Sequence, residues 1–173
     1  MRAFTCVYNQ VGGSHMIDEP AEDAARFGND DEIRHILEEV AACTGMGFVA
    51  FARVTETRWI ACQVFDQIDF GMLPGDELRI STTICNYIRE SGNAVVIDDV
   101  SAYPKWNSHP APALYGFKSY VSLPIVLPDG SFYGTLCAID PQPRKLTRAD
   151  MVPSLKQFAN RIARIVSQRR PTY

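Results

Sequence analysis

Two apolar runs, Lys118 to Leu127 and Ser131 to Ile139, lie either side of Pro128-Asp129-Gly130, and no other stretch of the chain limits its fold as strongly. Proline fixes φ early in the break and glycine accepts positive φ, so the runs read as two strands joined by a tight turn. The second ends at Asp140-Pro141. Both carry apolar residues at odd and even positions: Tyr120, Val121, Leu123 and Ile125 in the first, Phe132, Tyr133, Leu136, Cys137 and Ile139 in the second. Strands patterned this way are central and covered on both faces. Helices are expected on one face, and on the other a layer of loops able to close over a cavity.

The flanking segments supply those layers. Asn29 or Asp30 can cap a helix, Asp31 and Glu32 suit its positive end, and Ile33, Ile36, Leu37, Val40 and Ala41 recur at helical spacing, predicting a helix over Asp30 to Thr44. Phe48 to Thr55 and Trp59 to Phe65 alternate as a strand pair around a short turn. Asp66 to Leu78, with Gly71, Pro74 and Gly75, reads as a long loop, followed by a helix capped by Ser81 or Thr82 and running through Glu90, then a short strand from Ala94 to Ile97. Val100 to Leu114 holds three prolines and is expected as irregular segments and short helical turns. From Leu146 onward a C-terminal helix is predicted, with Thr147 as cap and Asp150 completing a capping box. Its apolar positions make a double stripe, Val152, Leu155, Ala159, Ile162 and Val166 beside Met151, Phe158 and Ile165. Such an arc either covers the sheet or meets a partner.

The pattern Gly116-Phe117-x-Ser119-Tyr120-x-Ser122-x-Pro124-Ile125, followed by Gly130-Ser131-Phe132-Tyr133-Gly134-Thr135-Leu136-Cys137-Ala138-Ile139-Asp140, resembles the signature hairpin of GAF domains. The likeness is strongest to those at the front of bacterial sensor histidine kinases and cyclic-dinucleotide signalling enzymes, and in element order it runs from Asp30 to Gln168. It implies an α+β (α/β) fold of the GAF/PAS type: a six-stranded, mostly antiparallel sheet with the terminal helices on one face and loops and short helices on the other. It also implies a homodimer through the terminal helices, with Ile33, Leu37, Val40, Met151, Leu155, Phe158, Ile162 and Ile165 at the interface.

A chain of 173 residues fits one domain, a size that buries roughly 70% of its unfolded surface. Residues 1–16 are expected as a leader or tag, since Gly13-Ser14-His15-Met16 matches the scar of a cleaved affinity tag. A lead-in with a loose helical turn follows over 17–29, then the sensor domain over 30–168 and a tail over 169–173. The net charge of −3 and the lack of long like-charge blocks speak against a nucleic-acid footprint or direct membrane contact. Arg161, Arg164, Arg169 and Arg170 read as the solvated face and end of a helix. No apolar run reaches the ~18 to 20 residues of a membrane span. Five cysteines, odd in number and without a C-x-x-C pair, point to reduced thiols and a cytoplasmic setting.

Chemistry-bearing constellations are few. Asp98-Asp99 reads as a turn with a capping carboxylate, no histidine–carboxylate metal set emerges, and no glycine-rich phosphate loop is present. Free methionine sulfoxide reductases, which are GAF-like, use a cysteine in the loop ahead of the Pro-Ile strand. Here that loop reads Asn107-Ser108-His109-Pro110-Ala111, so the nucleophile is absent, although Cys85 falls near the second cysteine position. The same loop lacks the cysteine that anchors a bilin, and a lone His109 is a poor basis for haem. Neither cofactor is expected.

What remains is a noncovalent small-molecule pocket. Its expected lining is Phe65, Phe70, Trp106, Tyr115 and Tyr120, with Cys85, His109, Ser119, Ser122 and Thr135 as polar points. The expected role is a sensory, dimerising, noncatalytic domain in a bacterial signalling protein. An interaction module without ligand and a thiol redox enzyme are the alternatives.

Overall fold

The structure, a computed structural model, describes residues 17–171. In chain order its elements are α1 (Glu19–Phe27), α2 (Asp31–Thr44), β1 (Phe48–Val54), β2 (Arg58–Asp66), β3 (Glu77–Arg79), α3 (Cys85–Ser91), β4 (Val95–Ile97), α4 (Pro104–Asn107), α5 (Pro110–Tyr115), β5 (Ser119–Val126), β6 (Phe132–Asp140) and α6 (Met151–Arg169). The strands make one sheet in the order β3-β2-β1-β6-β5-β4, each neighbouring pair antiparallel. As expected from their patterning, β5 and β6 are central; β4 at one edge and β3 at the other are short.

Both faces of the sheet are covered. On one, α1, α2 and α6 pack their apolar sides onto Val49, Phe51, Val121, Leu123, Tyr133 and Leu136. On the other, α3, α5 and the chain around Met72 and Val100 pack onto Phe48, Ala50, Trp59, Tyr120, Cys137 and Ile139. The sheet is tightest at Gly134, where an added Cβ would sit 1.8 Å from the Ala52 carbonyl oxygen, so β1 and β6 meet only because this position lacks a side chain.

Several expectations change. Residues 17–29 are not a loose turn: Asp18 accepts from the Ala21 amide and Pro20 sits in the first turn, so α1 is a capped helix. The loop after β2 contains β3, paired with Arg58 to Ile60. Ser81 and Thr82 belong to a separate 3-10 turn, and α3 begins at Cys85 without a side-chain cap. The C-terminal helix begins at Met151, because the Thr147 hydroxyl donates to Asp98 Oδ2 (2.7 Å) while the Leu146 amide donates to Asp98 Oδ1 (2.8 Å). That holds the approach to α6 against the end of β4. Asp99 caps a 3-10 turn at Ser101, so the two acids do separate structural work.

The helix stripe is core. Ile33, Leu37, Val40, Met151, Leu155, Ile162 and Ile165 are all buried within this chain, covering its own sheet, and only Phe158 of the eight expected interface residues keeps exposed surface. The arginines of α6 are also less free than expected: Arg161 pairs with Glu39, Arg169 with Asp30 and Glu32, and Arg170 with Glu19. The C-terminal end of α6 is thereby tied to α1 and α2. The leader or tag expected over residues 1–16 lies outside the described residues.

Candidate functional site

The face opposite the long helices holds a small apolar chamber of about 50 Å³. One water needs about 10–15 Å³ by the same measure, so a molecule of only a few heavy atoms fits without movement of the walls. The strands supply its floor through Phe48, Trp59, Tyr120, Cys137 and Ile139; the roof is Met72, Ile84, Cys85, Ala111 and Tyr115, with Phe70 and Phe117 at the side. No charged side chain is among the lining residues.

Beside the chamber runs a larger groove of about 550 Å³, lined by Ile68 to Gly71, Leu114 to Phe117, Ile139 and Pro141. Phe70, Tyr115, Phe117 and Ile139 line both spaces and form the wall between them. The Asp66 carboxylate accepts from the amides of Ile68 (3.1 Å), Phe70 (3.1 Å) and Gly71 (2.9 Å), which folds the loop back and sets the Phe70 ring 4.7 Å from Phe48 and 6.5 Å from Tyr115. Asp69 takes φ +55° to complete that turn. Across the gap, Tyr115 is held by a 2.6 Å hydrogen bond to Thr82 Oγ1.

A polar knot lies under the apolar lining. Cys85 Sγ is 3.4 Å from the Tyr120 hydroxyl, 3.3 Å from Thr135 Oγ1 and 3.9 Å from Ser122 Oγ, all of them buried. The neighbouring Cys137 thiol, with the Thr135 and Tyr120 hydroxyls, favours the Cys85 thiolate against the cost of burial. Beside Cys85 and fully buried, the Cys137 thiol is pushed well above the ordinary thiol range. Burial pushes Tyr120 well above the ordinary phenol range, keeping it a neutral donor.

Of the ten expected lining residues, Phe70, Cys85, Tyr115 and Tyr120 line the chamber, and Ser122 and Thr135 lie just beneath it around Cys85. Phe65 does not. The β1–β2 register shifts between Phe51 and Ala52, leaving Cys62 as an extra residue, and this bulge turns Phe65 onto the helix face. Ser119 also faces the helix side, one residue out of phase with Tyr120, where its hydroxyl donates to the Gln142 carbonyl (2.7 Å). Trp106 and His109 sit outside the chamber. The Trp106 ring packs edge-on against Tyr87 at 5.3 Å, and His109 Nδ1 accepts from the Ala111 amide (3.1 Å) as the cap of α5. Burial lowers the His109 pKa, which keeps that nitrogen an acceptor.

Chamber residues absent from that expectation include Phe117, Met72, Ile84, Ala111 and Cys137. Cys137 was within reach of sequence reasoning, since it stands opposite Ser122 in the hairpin register; Met72 and Ala111 lie on segments with no periodicity to read.

The sequence model of the GAF domain matches residues 29–166. The chain belongs to the GAF domain family. Its fold aligns with the GAF domain of an Acinetobacter phosphoenolpyruvate-protein phosphotransferase, TM-score 0.64 at 12% identity over 90% of this chain and 96% of that one. It aligns with the GAF domain of a two-component sensor histidine kinase from Bacillus halodurans, TM-score 0.63 at 13% identity over 82% and 95%. A type II free methionine-R-sulfoxide reductase from Thermoplasma acidophilum also aligns, TM-score 0.61 at 14% identity over 86% and 95%. At these identities the likeness is one of fold. In sequence, 65 residues are 42% identical to the diguanylate cyclase DgcP of Escherichia coli strain K12, a stretch covering 37% of this chain and 18% of that protein.

This GAF domain thus shares its scaffold with signalling proteins and with an enzyme. Among its described residues no helix is long and apolar enough to cross a membrane, and no three metal-ligating side chains cluster.

Proposed function

We propose that this GAF domain is a cytoplasmic, noncatalytic sensor within a bacterial signalling protein, regulating a histidine kinase or a cyclic-dinucleotide enzyme encoded with it. The single observation that carries the reading is the aromatic chamber, lined by no cationic side chain, sharing one wall with a larger groove. A wall of rotatable rings can admit a small uncharged guest, while a chamber without cations offers nothing to offset the desolvation of a phosphate or carboxylate. Occupancy would reposition Phe70 and Tyr115, and with them the 66–78 and 101–114 segments.

Output in this reading passes through the terminal helices. Arg170 joins Glu19 and Arg169 joins Asp30 and Glu32, so a shift of the sheet is felt where α6 leaves the domain. Homodimerisation is assigned to the outward side of α6 around Phe158, in place of the buried stripe. Neither nucleic acid nor membrane is assigned as a partner.

The test is thermal unfolding in the presence of phenol, indole and p-cresol against benzoate and indole-3-acetate, in wild-type protein and in Ala111→Leu, which fills the chamber. The uncharged compounds are expected to raise Tm by about 5 °C or more at 100-fold excess over Kd, and Ala111→Leu to abolish the shift. Equal shifts from the charged compounds, or shifts that survive in Ala111→Leu, would refute it.

A second reading, an interaction module without ligand, is favoured by one feature: Phe70, Met72, Tyr115 and Phe117 already occupy most of the space above the sheet. It predicts no shift from any compound in either protein.

A further inference from the structure

Two buried thiols from distant parts of the chain meet at the chamber, and the ligand reading gives them no task. Cys85 opens α3 and Cys137 lies in the centre of β6, packed beneath it, and both line the chamber. Cys62 is a useful contrast: equally buried, it faces the helix side, where burial pushes its pKa up to about 12. The Cys85 sulfur instead has the Thr135 and Tyr120 hydroxyls 3.3 and 3.4 Å away, and Cys137 lines the same chamber. Donors converging on a sulfur favour its thiolate, the nucleophilic form. Cys85 lines the apolar chamber, which selects a reagent by size and lack of charge.

We propose that Cys85 and Cys137 are an oxidisable pair whose reagent is a small uncharged hydroperoxide, with Cys85 oxidised first and Cys137 resolving it to a disulfide that pins α3 to the sheet. In the first step the Cys85 sulfur attacks one peroxide oxygen, the O–O bond breaks, and Cys85 sulfenic acid forms. The departing oxygen leaves as water, or as an alcohol from an alkyl hydroperoxide, carrying the thiol proton. In the second step the Cys137 sulfur attacks the sulfenic sulfur, the S–O bond breaks, and the hydroxyl leaves as water with the Cys137 proton. The sum is two thiols and one peroxide giving one disulfide and two molecules of water or of water and alcohol. This is stoichiometric sensing, and it needs no cysteine in the 107–111 loop. It is independent of whether an apolar ligand also binds.

The test uses the whole chain treated anaerobically with equimolar hydrogen peroxide, then alkylated in denaturant and mapped by mass spectrometry. Two of the five thiols are expected to be lost, with the Cys85 and Cys137 peptides cross-linked and released by dithiothreitol. In C137S the reaction is expected to stop at a Cys85 sulfenic acid trapped by dimedone, and in C85S oxidation at Cys137 should slow about tenfold or more. The wild-type map decides even if a variant fails to fold. Oxidation confined to Cys6, Cys43 or Cys62, or oxidation of Cys137 in C85S at the wild-type rate, would overturn the proposal. Phenol-induced stabilisation is measured on the same sample, so loss of the disulfide with that stabilisation intact removes the thiol pair and leaves the ligand reading standing.

Discussion

The Tyr115 hydroxyl lies 2.6 Å from Thr82 Oγ1, fastening the end of α5 to the 3-10 turn ahead of α3 across the mouth of the chamber. Burial keeps the phenol protonated and available to this bond. Tyr115→Phe removes the bond while keeping the ring in the wall. The expected cost is about 1 kcal/mol, seen as roughly fivefold faster amide exchange across residues 110–115 with strand protection unchanged. Uniformly faster exchange throughout the sheet would mean that the bond supports the whole fold rather than the chamber mouth.

The buried stripe of α6 makes a second prediction. Leu155 sits in the core between α6 and the sheet, so Leu155→Ala should lower unfolding free energy by about 3 kcal/mol without selectively weakening self-association. Phe158→Glu should do the reverse, weakening association while changing stability by about 1 kcal/mol or less. Denaturant unfolding combined with light scattering separates the two. A Leu155→Ala protein that stays as stable as wild type but becomes monomeric would restore the stripe to the interface.

Which parts of this were legible follows from periodicity. The hairpin Ser119–Val126 and Phe132–Asp140 could be read because both faces are apolar and Gly130 marks the turn; α2 could be read because a cap precedes an unbroken stripe. Phe65 could not be placed, since one extra residue at Cys62 reverses the facing of everything after it and leaves no compositional mark. Ser119 was a failure of parity: two adjacent strand residues cannot both face the chamber. Thr147 reads as a helix cap in sequence because Asp98, which claims its hydroxyl, is 49 residues away. The width of the α6 stripe signalled burial, and burial under the sheet and burial under a partner look alike in one dimension.

A pH effect follows from Asp23. Arg26 (3.0 Å), Arg170 (3.6 Å) and Arg53 (3.7 Å) surround its carboxylate, the neutral Tyr133 phenol is a neighbour, and Glu22 and Glu19 complete the local charges. Burial nevertheless outweighs these and raises its pKa above 3.8. A carboxyl raised in the folded state favours folding when protonated. Its contribution is therefore fully present below the unfolded pKa and is lost as pH rises through the folded value. Asp23→Asn abolishes that titration. The stability difference, wild type minus Asp23→Asn, should grow as pH falls from 7 toward about 4 and then level off; a difference that shrinks over that range would mean the arginines dominate.

The most direct measurement is a crystal of the wild-type protein soaked in 4-bromophenol, an uncharged ring whose bromine can be located by its anomalous signal. The predicted result is a bromine peak between Phe48, Met72 and Phe117, with Phe70 or Tyr115 rotated toward the groove and no such peak in crystals of Ala111→Leu. A chamber that stays closed around its own side chains, with bromine found only on the outer surface or not at all, would contradict it.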